Sequence, residues 1–361
     1  GSRLRVLVAC GGLCQRQSMV ATEVLRIDPG DPSPHAIRRA AAIIRHGGLV
    51  AFPTETVYGL GADALTEPAV LKIFKAKGRP TDNPLIVHVD GKRMLSAVAE
   101  TLSNKSEKLI DRLWPGPLTL VLERRAGVSP AVSAGLSTVA VRMPDSKAAL
   151  ALISAAGTPI AAPSANTSGK PSPTSAQHVF EDLNGKIDLV LDGGNTCIGI
   201  ESTVVDMTCD PPVVLRQGWI TREQLSRLIG EVREAGSQTE LRRSPGTRYR
   251  HYSPNARVVL IEDGSPEFIR RKIEELSGAG PVGFVGHVDP DAGPSVQEKV
   301  VLKNDAADYA RCIYGALRQL DASGMKAIVV QGVGGSGEAD AVMDRLRRAA
   351  SEILCENAPK T

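Results

Sequence analysis

The chain has 361 residues, 42% apolar and 23% charged, which excludes a disordered chain, a collagen-like repeat and a disulfide-stapled miniature. No apolar run approaches the roughly 18 residues of a membrane span, and 3% aromatics are too few for the stacking platforms of single-strand binders. The net charge of +3 divides into +6 over residues 1–255 and −3 over residues 256–361, which directs an anionic ligand to the first part.

Residues 1–24 open on Gly-Ser, are basic, and carry no acid before Glu23. They are expected to be an extension, a cleaved targeting segment or a tag remnant, outside the fold. Val24–Ile27 reads as a strand and Pro34 to about Arg45 as a helix, with Ile37, Ala40, Ala41 and Ile44 on one face. Strands are expected at 49–52, 85–89, 118–123, 138–142, 160–162, 189–191 and 203–206, and helices at 68–77, 102–113, 148–156 and 176–180. This is an α/β pattern with a mixed sheet.

Residues 236–255 lose all period and gather four Arg and two Pro around Tyr249–Tyr252, as a linker would. Beyond it, strands at 257–261, 282–284 and 327–330 alternate with helices at 266–276, 306–320 and 339–354. The expected division is therefore 1–24, a catalytic unit over 25–235, a linker or lid over 236–255, and a smaller unit over 256–361. The six cysteines are scattered without CxxC spacing, as in a reduced cytoplasmic protein.

Five stretches could carry chemistry. The strand ending at Phe52 opens into Pro53-Thr54-Glu55-Thr56-Val57-Tyr58-Gly59, either a Gly-rich turn or a loop that brings N–H and hydroxyl groups to a ligand. Lys72, Lys75, Lys77 and Arg79 close a helix, either complementing its dipole or clamping a polyphosphate. His88 lies inside an apolar strand, and Arg142 ends another, where it needs a structural carboxylate or an anionic ligand. Ala162-Pro163-Ser164-Ala165-Asn166 leads through Gly169 to Ser172, a phosphate cradle or a surface loop. Glu201-Ser202-Thr203 and Leu215-Arg216-Gln217-Gly218 repeat the theme of hydroxyls and guanidinium at strand ends. The run Gly332-Val333-Gly334-Gly335-Ser336-Gly337 matches a dinucleotide fingerprint, but residues 338–361 read as helix with no second strand, so a plain βα turn is preferred.

Together, in this order, these motifs and the Ser244-Pro245-Gly246…Arg250-His251-Tyr252 linker resemble the long form of the YrdC-like family, the form that makes threonylcarbamoyl-AMP. The resemblance implies a twisted mixed sheet with flanking helices and a basic concave groove, plus a smaller Rossmann-like C-terminal domain. It implies that L-threonine, bicarbonate and ATP become threonylcarbamoyl-AMP, pyrophosphate and water in the cytoplasm. Mg²⁺ would accompany ATP, with no metal ligated by the protein, and downstream proteins would transfer the product to tRNA, with weak tRNA contact at most.

By motif match, Thr56, His88, Arg142, Ala162 and Ser202 would line the threonine pocket. Lys77, Arg79, Asn83, Thr138, Ser164, Asn166, Ser172, Arg216 and Tyr252 would hold ATP, with Lys77 and Arg79 as the catalytic pair and Tyr252 in a lid. Arg79→Ala and Arg142→Ala are each expected to abolish turnover with the fold kept. Two other readings compete. One is a non-catalytic RNA-binding module using the basic groove. The other is a carbamoyl-phosphate enzyme, which the missing zinc-finger cysteines disfavour.

Overall fold

A computed structural model describes residues 21–244 and 252–356. Two sheets organise them. Strands β1 (Glu23–Arg26), β2 (Val50–Phe52), β3 (Gly59–Asp63), β4 (Ile86–His88), β5 (Leu118–Glu123) and β6 (Thr138–Arg142) belong to the first. So do β7 (Ile160–Ala161), β8 (Leu189–Asp192), β9 (Thr203–Asp206), β10 (Val213–Arg216) and β11 (Arg233–Glu234). Their order is β1-β8-β2-β3-β7-β4-β6-β5-β9-β10-β11, with parallel and antiparallel neighbours mixed.

The second sheet holds β12 (Arg257–Asp263), β13 (Val282–Gly286), β14 (Glu298–Val301), β15 (Ala327–Gln331) and β16 (Glu352–Cys355). It is wholly parallel in the order β14-β13-β15-β12-β16, the pattern of a Rossmann-like domain.

The sequence explains the elements that shape the cleft. Helix Pro34–Arg45 starts with Pro in its first turn and buries Ala36, Ile37, Ala40, Ala41 and Ile44. Helix Glu67–Lys77 stops at Gly78, whose φ of 62° is the left-handed cap that glycine adopts without penalty. That turn buries Lys77 and sends Arg79 into the loop beyond. With few aromatics, the large core is built from Ala, Val, Leu and Ile packed between sheet and helices.

Several elements differ from the expected pattern. Gly59–Asp63, read as loop, is strand β3, paired with β2 and β7. Its glycines and alanine give neither alternation nor β-branching, so no strand signal shows. Helices Lys92–Val98 and Arg222–Ile229 add to those expected. The C-terminal helix ends at Ala349, and Glu352–Cys355 is edge strand β16 beside β12. Leu346, Ala349 and Ile353 keep a helical spacing, which hides the break. A second strand thus comes after the glycine run. It lies beyond β12 rather than beside β15, and Asp340 Oδ2 already accepts from Gly337 N at the helix start. Both features oppose a dinucleotide site.

The two sheets meet through a shared apolar cluster in which Val57, Ile200 and Tyr252 pack with Tyr309, Ile313, Tyr314 and Leu317. Among the described residues, no helix is long and apolar enough to cross a membrane.

Candidate active site

A cleft opens where the strands of the first sheet end. Each expected motif brings one wall. The loop after β2 folds on Thr54, whose Oγ1 donates to Val57 O at 2.6 Å and accepts from Thr56 N and Val57 N. This small turn presents Thr56 to the cleft and buries Glu55 behind it. Strands β4 and β6 run parallel with His88 opposite Arg142, so the two side chains arrive together.

Arg142 is buried and held on three sides. Nε donates to Gly116 O at 3.2 Å, Nη1 donates to Thr56 Oγ1 at 2.8 Å, and Nη2 forms an ion pair with Glu55. The pair is close but not aligned as a hydrogen bond, for neither Glu55 oxygen nor Arg142 Nη2 has a hydrogen-bond partner. His88 Nδ1 is likewise buried without one. Burial, and then the Arg142 charge, push the His88 pKa down to about 3, so the ring is neutral at physiological pH. Of the two partners open to Arg142 from sequence, a structural carboxylate is present.

The second set of groups is cationic and hydroxyl-rich. Lys77 Nζ donates to Ser164 O and Asn166 O, both at 2.5 Å, and so ties the helix end to the loop after β7. Burial, followed by the neighbouring Arg79 charge, lowers the Lys77 pKa well below its ordinary value. Arg79 donates to Asn83 O and Pro84 O through Nε and Nη2. Ser164 Oγ donates to Asn166 Oδ1 at 2.6 Å, and Asn166 Nδ2 donates to Thr167 O and Lys170 O, which fixes the loop's curl.

Ser202 Oγ meets Thr119 Oγ1 at 2.8 Å and accepts from Arg216 Nη2 at 3.1 Å. Tyr252 is buried in the wall with φ of 68°, a left-handed backbone that is costly for a bulky residue. Its ring stacks on Tyr314 at 5.3 Å, and burial pushes its hydroxyl pKa up to about 12.

Twelve of the fourteen expected site residues line this one cleft: Thr56, Lys77, Arg79, His88, Arg142, Ala162, Ser164, Asn166, Ser172, Ser202, Arg216 and Tyr252. Asn83 and Thr138 do not. Asn83 is buried behind Arg79, touching it through its backbone carbonyl. Thr138 opens β6 at the end away from Arg142, about 13 Å along a five-residue strand. The rest of the Arg-rich linker, residues 245–251, lies outside the described residues.

Glu55 and Glu201 are carboxylates to which the motifs assign no role. Glu201 is visible in the sequence beside Ser202, but its partners Tyr314 and Arg345 come from the second sheet's helices, where the sequence offers no signal. Among the described residues, no group of three His, Cys, Asp or Glu side chains is arranged to hold a metal ion.

Two family models cover this architecture. One, described as "Telomere recombination", matches residues 42–218, and one described as "Threonylcarbamoyl-AMP synthase, C-terminal domain" matches residues 220–351. A threonylcarbamoyl-AMP synthase of Pyrococcus abyssi is 49% identical over 323 residues, covering 87% of this chain and 94% of its own. The chain belongs to the threonylcarbamoyl-AMP synthase family.

Family members from Bacillus subtilis and Schizosaccharomyces pombe, also called threonylcarbamoyl-AMP synthase, are 46% and 40% identical over 87% and 90% of this chain, and over 92% and 91% of their own. The crystal structure of P. abyssi Sua5 complexed with L-threonine superposes with a TM-score of 0.87 at 46% identity, covering 92% of this chain and 99% of that one. The fold implied by the motifs, a YrdC-like mixed sheet plus a smaller Rossmann-like domain, is the fold found in this synthase family member.

Proposed function

We propose that this cleft makes threonylcarbamoyl-AMP from L-threonine, bicarbonate and ATP. In the first step the threonine amine takes up bicarbonate as N-carboxy-threonine, and water leaves. In the second, the new carboxylate oxygen forms a bond to the ATP α-phosphorus, and the bond from that phosphorus to the pyrophosphate breaks. Atoms and charges balance without a protein nucleophile, so the protein's work is positioning and charge stabilisation.

The observation that carries this reading is the union of two chemistries in one cleft. Buried His88 Nδ1 has no hydrogen-bond partner and stands with the Arg142 guanidinium and the Thr56 hydroxyl in the cleft wall, which suits a small ligand bearing a carboxylate and a hydroxyl. Glu55 is the ion-pair partner of Arg142, which lines the cleft. Ala162 and Ser202 complete that pocket. Lys77, Arg79, Ser164, Asn166, Ser172 and Arg216 suit a triphosphate and its nucleoside, with Lys77 and Arg79 beside the transferring phosphorus. The triphosphate's own charge favours the ammonium form of Lys77 against its burial. Asn83 acts through Arg79, and Tyr252 closes the cleft so that the adenylate is shielded from hydrolysis.

Mg²⁺ enters as part of the substrate, carried by the phosphates. The two buried cleft carboxylates are engaged, Glu55 with Arg142 and Glu201 with Arg345, which fits a metal that the nucleotide brings. We place the catalytic unit at 25–235, the linker and lid at 236–255 and the smaller unit at 256–361. The product passes in the cytoplasm to proteins that transfer it to tRNA, with no more than weak tRNA contact here. ¹³C-bicarbonate should appear in an adenylate one mass unit heavier, only when threonine is present; label in the adenylate without threonine, or none with it, refutes the reading.

A further inference from the structure

The smaller domain reaches the back of the cleft through three buried side chains. Tyr314 and Arg318 stand four residues apart on helix Ala306–Ala322, hence on one face, and Arg345 comes from helix Glu338–Ala349. Arg345 Nε donates to Glu201 Oε2 at 2.8 Å, and its Nη2 donates to Gln217 O at 2.8 Å. Tyr314 Oη donates to the same Glu201 Oε2 at 3.1 Å. The other oxygen, Glu201 Oε1, accepts from Ser172 Oγ at 2.5 Å, in the cleft wall. Arg318 donates to Pro171 O through Nε and Nη2, and to both oxygens of Asp182, which itself accepts from Thr167 N. The loop 163–172 is therefore pinned at its middle, Thr167, and at its far end, Pro171 and Ser172, from the second sheet's helices.

We infer that Arg345 is a positioning residue for the nucleotide part of the cleft, acting through Glu201 on Ser172. The inference rests on the proposed assignment of Ser172 to ATP. Glu201 is buried and flanked by two guanidinium groups. Without Arg345 its carboxylate keeps the Tyr314 and Ser172 hydroxyls but loses its ion-pair partner, and its rotamer is held less firmly. Ser172 then loses its aim at the nucleotide. The hydrogen bonds that hold Arg142 run to Gly116 and Thr56, and the Ser202 hydroxyl bonds to Thr119 and Arg216; none of these involves Glu201 or Arg345, so threonine recognition is spared.

The test compares the full chain with Arg345→Met, Arg345→Lys and Tyr314→Phe. Calorimetry reads L-threonine binding alone, then a non-hydrolysable ATP analogue with threonine present. Arg345→Met should weaken the analogue about tenfold or more, the equivalent of one charge-assisted hydrogen bond, and leave threonine within about twofold. Arg345→Lys should recover part of the loss. Tyr314→Phe removes one hydroxyl from the same carboxylate, and should shift the analogue in the same direction by less, should the Met variant not fold. Equal losses for both ligands, or no loss for the analogue, would overturn the inference alone. A wild-type chain that bound neither ligand would overturn it together with the proposed function.

Discussion

Arg142 offers the sharpest test of how the threonine pocket is built. Arg142→Met deletes a buried cation and leaves Glu55, itself 6% exposed, without its counter-charge. Breaking a buried ion pair from one side costs about 3–5 kcal/mol, because a charge is stranded in a poorly polarisable interior. The variant also forfeits the hydrogen bonds to Gly116 O and Thr56 Oγ1. Since total stabilities run to about 5–15 kcal/mol, this is a large share. The simple expectation from sequence, lost turnover in an undisturbed fold, is therefore amended.

The double variant Glu55→Gln/Arg142→Met replaces the pair with neutral groups and should recover most of the loss, to within about 2 kcal/mol of wild type. Turnover should stay lost in both, because the carboxylate fork is gone in both. Urea unfolding at neutral pH measures the stabilities, and pyrophosphate release measures turnover. A single variant that loses under about 1 kcal/mol refutes the buried pair. A double variant that regains turnover refutes Arg142 as the threonine carboxylate's partner.

Arg79→Ala should abolish turnover with a melting loss smaller than that of Arg142→Met, because its hydrogen bonds run to two loop carbonyls and strand no buried carboxylate there; a loss matching Arg142→Met would count against this. Burial raises the Glu201 pKa, but Arg345, Arg216 and Ser172 outweigh it and hold it at about 2, against an ordinary 4.5. A depressed carboxylate stabilises fully above pH 4.5, and the contribution, of order 3 kcal/mol, is lost as pH falls from 4.5 through about 2. Glu201→Gln should flatten that acid limb in pH-dependent unfolding, and an unchanged slope would contradict it. His88, at about 3, should show no ring titration by NMR between pH 5 and 9; a midpoint near 6.5 would place it in water. Gly199 has φ of 90°, and a Cβ there would sit 2.2 Å from Ala310 O and 2.6 Å from Arg311 Cα. Gly199→Ala should therefore loosen the smaller domain by more than about 2 kcal/mol, seen as faster proteolysis of the joint between the sheets.

Strands with apolar or β-branched runs are legible to the residue, as Leu118–Glu123, Thr138–Arg142 and Thr203–Asp206 show. Those three carry Leu, Val or Thr at nearly every position, which leaves little ambiguity. Strand β3 is not legible, because Gly-Leu-Gly-Ala-Asp has no pattern of its own and is held by its neighbours. The site is legible as motifs in order, and the fold gathers most of them around one cleft. Their support stays hidden. Arg345 stands among Arg347 and Arg348 on an amphipathic helix, a run that reads as a solvated face. Only packing of that helix against residue 201 separates the buried Arg345 from exposed Arg347 and half-buried Arg348. Thr138 is the converse case: it shares a strand with Arg142, but the strand's length carries it out of the cleft.

If one cleft joins carboxylated threonine to the α-phosphate of ATP, pyrophosphate release by the purified chain must depend on every substrate. The decisive assay supplies L-threonine, bicarbonate, ATP and Mg²⁺ together, then omits them one at a time. Release is expected only with the full set, one pyrophosphate for each threonylcarbamoyl-AMP formed. Release that ignores threonine or bicarbonate, or no release with all present, would contradict the joining of the two chemistries in this cleft.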